Sequence, residues 1–227
     1  MAEREDQVLI ACRMLENEVR EAMRTAGCDI PVIWLEKGLH TNPDNLRKEL
    51  QKTIDETEER FSPDIILLGY GFCGNAMSGL CAKNSRLVLP RIDDCITMFI
   101  GSRKRKTELE GGVGTIFQTC CRSDGDDTLL EQYQGFVEEY GEEDAKDLFD
   151  MIYGNYKRLG VLDTHCFPLE PVVRESRHVA EELGFEHEVF DASNNFIVEL
   201  LSGKWDTGRF IVKESGEEIS TQDLHAE

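Results

Sequence analysis

Nothing in this sequence stays apolar for long. No hydrophobic run approaches the ~20 residues needed to span a bilayer, and the first, QVLIA (7–11), follows an acidic start. The expectation is a cytoplasmic chain with no secretory leader and no membrane contact. Positive charge is also scarce. Twenty-five Lys and Arg stand against 45 Asp and Glu, a formal net charge of −20, which excludes a nucleic-acid phosphate track as a partner surface. Much of the acid lies in TIDETEER, EEYGEEDAKD and ESGEEIS, which read as solvated faces. There is no C-x-x-C, no P-loop and no G-x-S-x-G. Gly69 and Gly71 supply a G-x-G, but the third glycine of a dinucleotide loop is not at the expected spacing.

What the chain does have is cysteine, eight in all. In a reducing compartment these are packing residues, metal ligands or nucleophiles rather than a disulfide framework. Cys28 and Cys81 fall at helical ends and read as packing. The other six, at positions 12, 73, 95, 120, 121 and 166, sit at or near the ends of predicted strands.

Short apolar runs alternate with helical patterns along most of the sequence. QVLIA, PVIWLE (31–36), DIILLG (64–69) and RLVLP (86–90) read as strands separated by helices. Asn42 and Pro43 mark the N-cap and first position of the helix in TNPDNLRKEL. In the second half GTIFQT, GVLDT, EHEVFD and RFIVKE are strands, with a helix ending at Gly184. The spacing predicts an α/β chain with parallel sheets of Rossmann-like type. ACRMLENEVREAMRTAGCDIPVIWL and THCFPLEPVVRESRHVAEELGFEHEVF share one order: strand, cysteine, L-E pair, helix, glycine, strand. That order suggests two pseudo-repeated lobes with a cleft between them, 1–110 and 111–227, or one continuous domain, and gives Cys166 the role of Cys12.

Ligands in open parallel sheets bind outside the carboxyl ends of the strands. Cys12, Cys73 and Cys95 follow three first-half strands, and His40 follows the second. Thiolates with imidazole suit zinc, and three or four sulfurs suit an iron–sulfur cluster. Gly71 and Gly74 beside Cys73 would let backbone approach a bulky cofactor. The candidate metal ligands are therefore Cys12, Cys73, Cys95 and Cys166, with His40, Gly71 and Gly74 lining a cofactor. Asp93 and Asp94 read as helix-start residues, and SRKRKTE as a solvated basic face. Cysteines that only pack, in a structural or interaction protein, are the alternative.

The blocks ACRMLENEV, LHTNPDNLRKEL, IILLGYGFCGNAMSGL and LVLPRIDDCITMFIGSR resemble, in order, those of an uncharacterised family of anaerobic bacteria and methanogens. The resemblance extends to YKRLGVLDT and LLSGKWDTGRFIV. Genes of that family often stand beside corrinoid-dependent methyltransferases for methylated amines. Two departures are visible: Asp93 stands where the family usually has histidine, and QTCCRSD stands where it reads toward Thr-Pro-Gly-Trp. The resemblance implies a corrinoid protein or methyltransferase as partner, and a corrinoid reached through it. Two functions are then expected: a metal- or iron–sulfur-binding accessory protein, or a zinc-dependent enzyme of the methyltransferase type.

Overall fold

The computed structural model describes residues 6–120 and 128–225. It is a mixed α/β structure with two sheets, largely parallel, and the chain divides into two compact units. The first comprises Met1–Ser102 and Asn194–Glu227, the second Arg103–Ser193.

In the first unit, β1 (Gln7–Cys12) leads through a 3-10 turn into α1 (Glu16–Ala26), which Gly27 ends in the left-handed conformation. β2 (Val32–Leu35) follows, then α2 (Pro43–Phe61). Asn42 caps α2 as the sequence predicts, its side chain accepting from the Asn45 N–H at 3.1 Å. β3 (Ile65–Gly69) is buried at every position, which explains its unbroken apolar run: both faces of the strand are covered. β4 (Arg86–Pro90) and the short α3 (Cys95–Ile100) complete this stretch. After the second unit the chain returns with α8 (Asn195–Leu201), β8 (Phe210–Lys213) and α9 (Thr221–His225). The sheet order is β2-β1-β3-β4-β8. Phe196, Ile197, Leu200 and Leu201 of α8 are buried, and the helix packs on β3, β4 and α1.

Two features depart from the sequence reading. β3 and β4 pair in parallel, yet their connection carries no helix; it coils through Cys73, Gly74 and Asn75, all at positive φ. β8, placed by its position in a second lobe over 111–227, instead pairs antiparallel with β4. An apolar run fixes that a strand forms but not which edge it joins.

The second unit holds α4 (Arg103–Glu110), β5 (Thr115–Gln118), α5 (Leu129–Tyr140), α6 (Glu142–Tyr153), β6 (Arg158–Asp163), α7 (Leu169–Leu183) and β7 (Glu186–Asp191). Its sheet is parallel, in the order β5-β6-β7. Leu159, Val179 and Ala180 form its core, with Ile116, Leu129 and Phe185 packed against them. Arg158 ties the unit together. Its guanidinium meets Glu188 at 2.6 Å, Thr115 Oγ1 at 3.0 Å and the Leu109 carbonyl at 2.8 Å, and lies over the Phe190 ring. β1–α1–β2 and β6–α7–β7 are both parallel βαβ units, as the repeated order suggests. Among the described residues no helix is long and apolar enough to cross a membrane.

Candidate functional site

In the first sheet β2 lies on one side of β1 and β3 on the other, so the winding reverses between β1 and β3. Such a switch point opens a crevice outside the carboxyl ends of the two strands. Cys12 is the last residue of β1, and Tyr70 immediately follows β3. Ala11 and Gly69 are register partners just below them, and a Cβ on Gly69 would lie 2.8 Å from that of Ala11. Small residues here let the two strand ends close up.

The segment after β3 is laced to the start of α3. The Phe72 N–H donates to the Ile92 carbonyl and the Cys73 N–H to that of Asp93, both at 2.8 Å. Only glycine fits at position 71, because a Cβ would fall 2.6 Å from Asp94 Cα. Asp94 is the N-cap of α3, its carboxylate accepting from the Thr97 N–H at 2.6 Å. Cys95 is thereby held as the first helical residue, where its sulfur meets the Gly71 N–H and the Cys73 thiol. Cys73 itself sits at φ +44°, a left-handed conformation that costs a non-glycine residue about 1 kcal/mol or more. Backbone strain of this kind concentrates at functional sites. Gly74 abuts Pro43 at the start of α2, and Arg47 of α2 donates to the Asn75 carbonyl at 3.0 Å. His40 lies in the 3-10 turn just before that helix.

The electrostatics of these thiols are mutual. Cys95 is pushed well above the usual thiol range, first by its hydrogen bond with Cys73, then by burial and by the Cys73 charge that ionisation would create; the Gly71 N–H works against the shift. Tyr70 is only 2% exposed, and its hydroxyl has no hydrogen-bond partner among the described residues. Burial raises its pKa, and the charges that Cys12, Cys95 and Cys73 would carry on ionisation raise it further, in that order. Cysteines that follow three strand ends, far apart in sequence, are thus near enough to bear on the ionisation of one buried phenol. Sequence reasoning passed over Tyr70, although it stands within GYGFCG. A polar aromatic directly after a fully apolar run was the available signal.

The structure brings Cys73 and Cys95 into contact, with Cys12 at the end of β1 on the same edge of the sheet, and no disulfide joins the described cysteines. Among the described residues, no group of three or more His, Cys, Asp and Glu side chains is arranged so that it could hold a metal ion. Gly71 and Gly74, proposed as cofactor-lining, make their closest approaches to the chain itself, at Asp94 and Pro43. Cys28 is buried, and Cys81 is half-buried with its backbone bracketed by Gln51 at 3.0 and 2.8 Å, in keeping with packing roles.

Cys166 belongs to the second unit, in the loop after β6, where its thiol donates to the Thr164 carbonyl at 3.1 Å. The neighbouring His165, at φ +59°, places Nε2 2.9 Å from Asp191 and Nδ1 3.3 Å from Asp163. The Asp191 hydrogen bond and then the Asp163 charge raise its pKa. Both ring nitrogens thus face carboxylates, which favours the protonated imidazolium over the neutral ring that a metal would need. Among the described residues β5-β6-β7 winds in one direction, with no switch point. Cys120 follows β5 and is half-buried; Cys121 lies outside the described residues.

A family profile described as a protein of unknown function (DUF1638) matches residues 34–201. No curated protein and no solved structure matches the chain. The matched span includes His40, Cys73, Cys95 and Cys166 and begins after Cys12. It runs from β2 to α8, well over half the chain and through both units, and on that extent the chain belongs to the DUF1638 family.

Proposed function

We propose that the chain is an accessory protein that holds a thiophilic metal ion or an iron–sulfur cluster on Cys12, Cys73 and Cys95. The observation that carries this reading is the contact of Cys95 with Cys73 at the sheet's switch point, where Cys12 ends β1. Their chemistry fits the group. Cys95 resists ionisation through its hydrogen bond with Cys73 and its burial, and a bound cation would reverse that penalty by taking the place of the protons. His40, at the same end of the sheet, is the nearest sequence candidate for a further ligand.

The bound group would supply electron transfer if it is a cluster, or Lewis acidity and an activated thiolate if it is zinc. The resemblance of the blocks around Cys12, His40, Cys73 and Cys95 supports placing this activity beside corrinoid-dependent methyl transfer. There the protein would deliver electrons, insert a cofactor or relay a methyl group, with a corrinoid protein or methyltransferase as its cytoplasmic partner. Metal analysis and absorption spectra of anaerobically purified protein test the reading. Stoichiometric iron with a brown colour supports the cluster; stoichiometric colourless zinc supports a zinc-thiolate enzyme of the methyltransferase type. Less than stoichiometric metal, unaffected by Cys73→Ala, would leave a protein whose cysteines only pack.

A further inference from the structure

Cys73 and Cys95 are free thiols, joined by a hydrogen bond between their side chains. The main chain holds them together from both sides. The Phe72 and Cys73 N–H groups donate to the Ile92 and Asp93 carbonyls, both at 2.8 Å. Gly71 lies so close to the Asp94 backbone that a Cβ on it would fall 2.6 Å from Asp94 Cα. Asp94 in turn fixes the start of α3 by accepting from the Thr97 N–H at 2.6 Å. A bridge between the two sulfurs therefore needs no distant segment to be drawn in, which is the usual obstacle to joining two cysteines. The two thiols differ in access. Cys73 is half-buried and runs directly into Gly74 and Asn75, both exposed. Cys95 opens a helix whose Thr97, Met98, Phe99 and Ile100 are buried, and its sulfur is covered by the Gly71 N–H and by Cys73.

We infer that Cys73 and Cys95 are a thiol–disulfide exchange pair that reduces a low-molecular-weight disulfide, Cys73 attacking and Cys95 resolving. The inference needs no bound metal and goes beyond the metal-binding reading. The Cys73 thiolate attacks one sulfur of the substrate, forming a mixed disulfide as the substrate's own S–S bond breaks. The first thiol leaves with the proton that Cys73 gave up. Cys95 then gives up its proton and attacks the Cys73 sulfur, closing the Cys73–Cys95 bridge and releasing the second thiol with that proton. Two electrons and two protons pass from the pair to the substrate. A small substrate fits because the attacked position is only half-exposed.

The test uses the full chain, reduced, stripped of metal and kept anaerobic, with oxidised glutathione as the probe. Iodoacetamide stops the reaction at set times, and peptide mass mapping locates each free, bridged or glutathione-bearing cysteine. Wild type is expected to lose the two thiols together, to carry a Cys73–Cys95 bridge and to release two glutathiones per chain. Cys95→Ser should stop at one glutathione on Cys73. In Cys73→Ser, Cys95 should react at least about tenfold more slowly than Cys73 does in wild type, because access limits the attack. Thermal unfolding of each reduced variant shows whether it is folded; the wild-type arm decides the existence of the pair without them. No reaction at Cys73, glutathione that accumulates on wild-type Cys73 without a bridge, or a bridge to Cys12 in place of Cys95 would each overturn the inference. Undiminished reaction of Cys95 in a folded Cys73→Ser would overturn the assigned order of attack. Metal content is measured separately on the protein as purified, so either reading can fail while the other stands.

Discussion

Glu58 of α2 offers a sharp test of how the first unit holds its sheet together. Its carboxylate is 7% exposed and accepts three backbone N–H bonds, from Lys83 at 3.0 Å, Asn84 at 2.7 Å and Ser85 at 2.8 Å. These residues form the turn that delivers the chain into β4. Glu58→Ala leaves three donors facing an apolar wall. Hydrogen bonds to a charged group contribute about 1.5–3 kcal/mol each, but water will reach part of the vacated space, so a total loss of about 2–4 kcal/mol is expected. The loss depends on pH in a defined direction. Burial alone would raise the Glu58 pKa, but the three N–H groups outweigh it and hold the carboxyl below its ordinary value. The unfolded chain therefore binds the proton first. The Glu58 contribution is fully present above the ordinary glutamate pKa of about 4.3 and is lost as pH falls through the lower folded value. Tryptophan fluorescence in a urea titration isolates the effect, because both tryptophans, Trp34 and Trp205, lie in the first unit. The wild-type-to-variant gap should be widest at pH 7 and shrink toward pH 3. A gap under about 0.5 kcal/mol at pH 7, within the range of ordinary surface changes, or one that widens on acidification, refutes the reasoning.

Gly71→Ala should cost about 1–3 kcal/mol, as overpacking against rigid backbone does, and should part Cys73 from Cys95; a mild-oxidant crosslinking assay would then show the pair joining more slowly than in wild type. Arg158→Met should destabilise the second unit by about 1–3 kcal/mol, chiefly through loss of its hydrogen bonds to Thr115 and the Leu109 carbonyl, since Glu188 is half-exposed, detectable by hydrogen exchange in β6 while β1 and β3 stay protected. His165 should titrate above the ordinary histidine value of about 6.5 in an NMR pH series, and Asp191→Asn should bring it back down. Since its folded pKa is raised, any stability it contributes is present below the unfolded value and disappears as pH rises through the folded one.

The strands and their thiols were legible because each signal is local. An unbroken apolar run announces β3, Asn42 with Pro43 announces α2, and Asp94 announces α3. The edge that β8 joins was not legible, because strand order depends on contacts between residues more than a hundred positions apart. Gly71 was read as room for a cofactor, whereas its space is taken by Asp94 backbone, a close approach that no pattern within the GYGFCG block encodes. Cys166 shares the order of elements seen at Cys12, but the order of strands in space distinguishes them: among the described residues the first sheet reverses direction and the second does not.

The return of residues 194–227 to the first unit has a consequence for synthesis. The ribosome completes β1 to β4 and then makes the whole second unit before α8 and β8 appear. At about 5–20 residues per second, β4 spends several seconds as an unpaired sheet edge. Over the same interval the faces of β3 and β4 that α8 later covers are open. Such an edge is a template for pairing with another chain. The nascent first unit is thus exposed to misassembly for longer than the inserted one, whose strands are consecutive. Chains truncated before residue 194 should accumulate in aggregates.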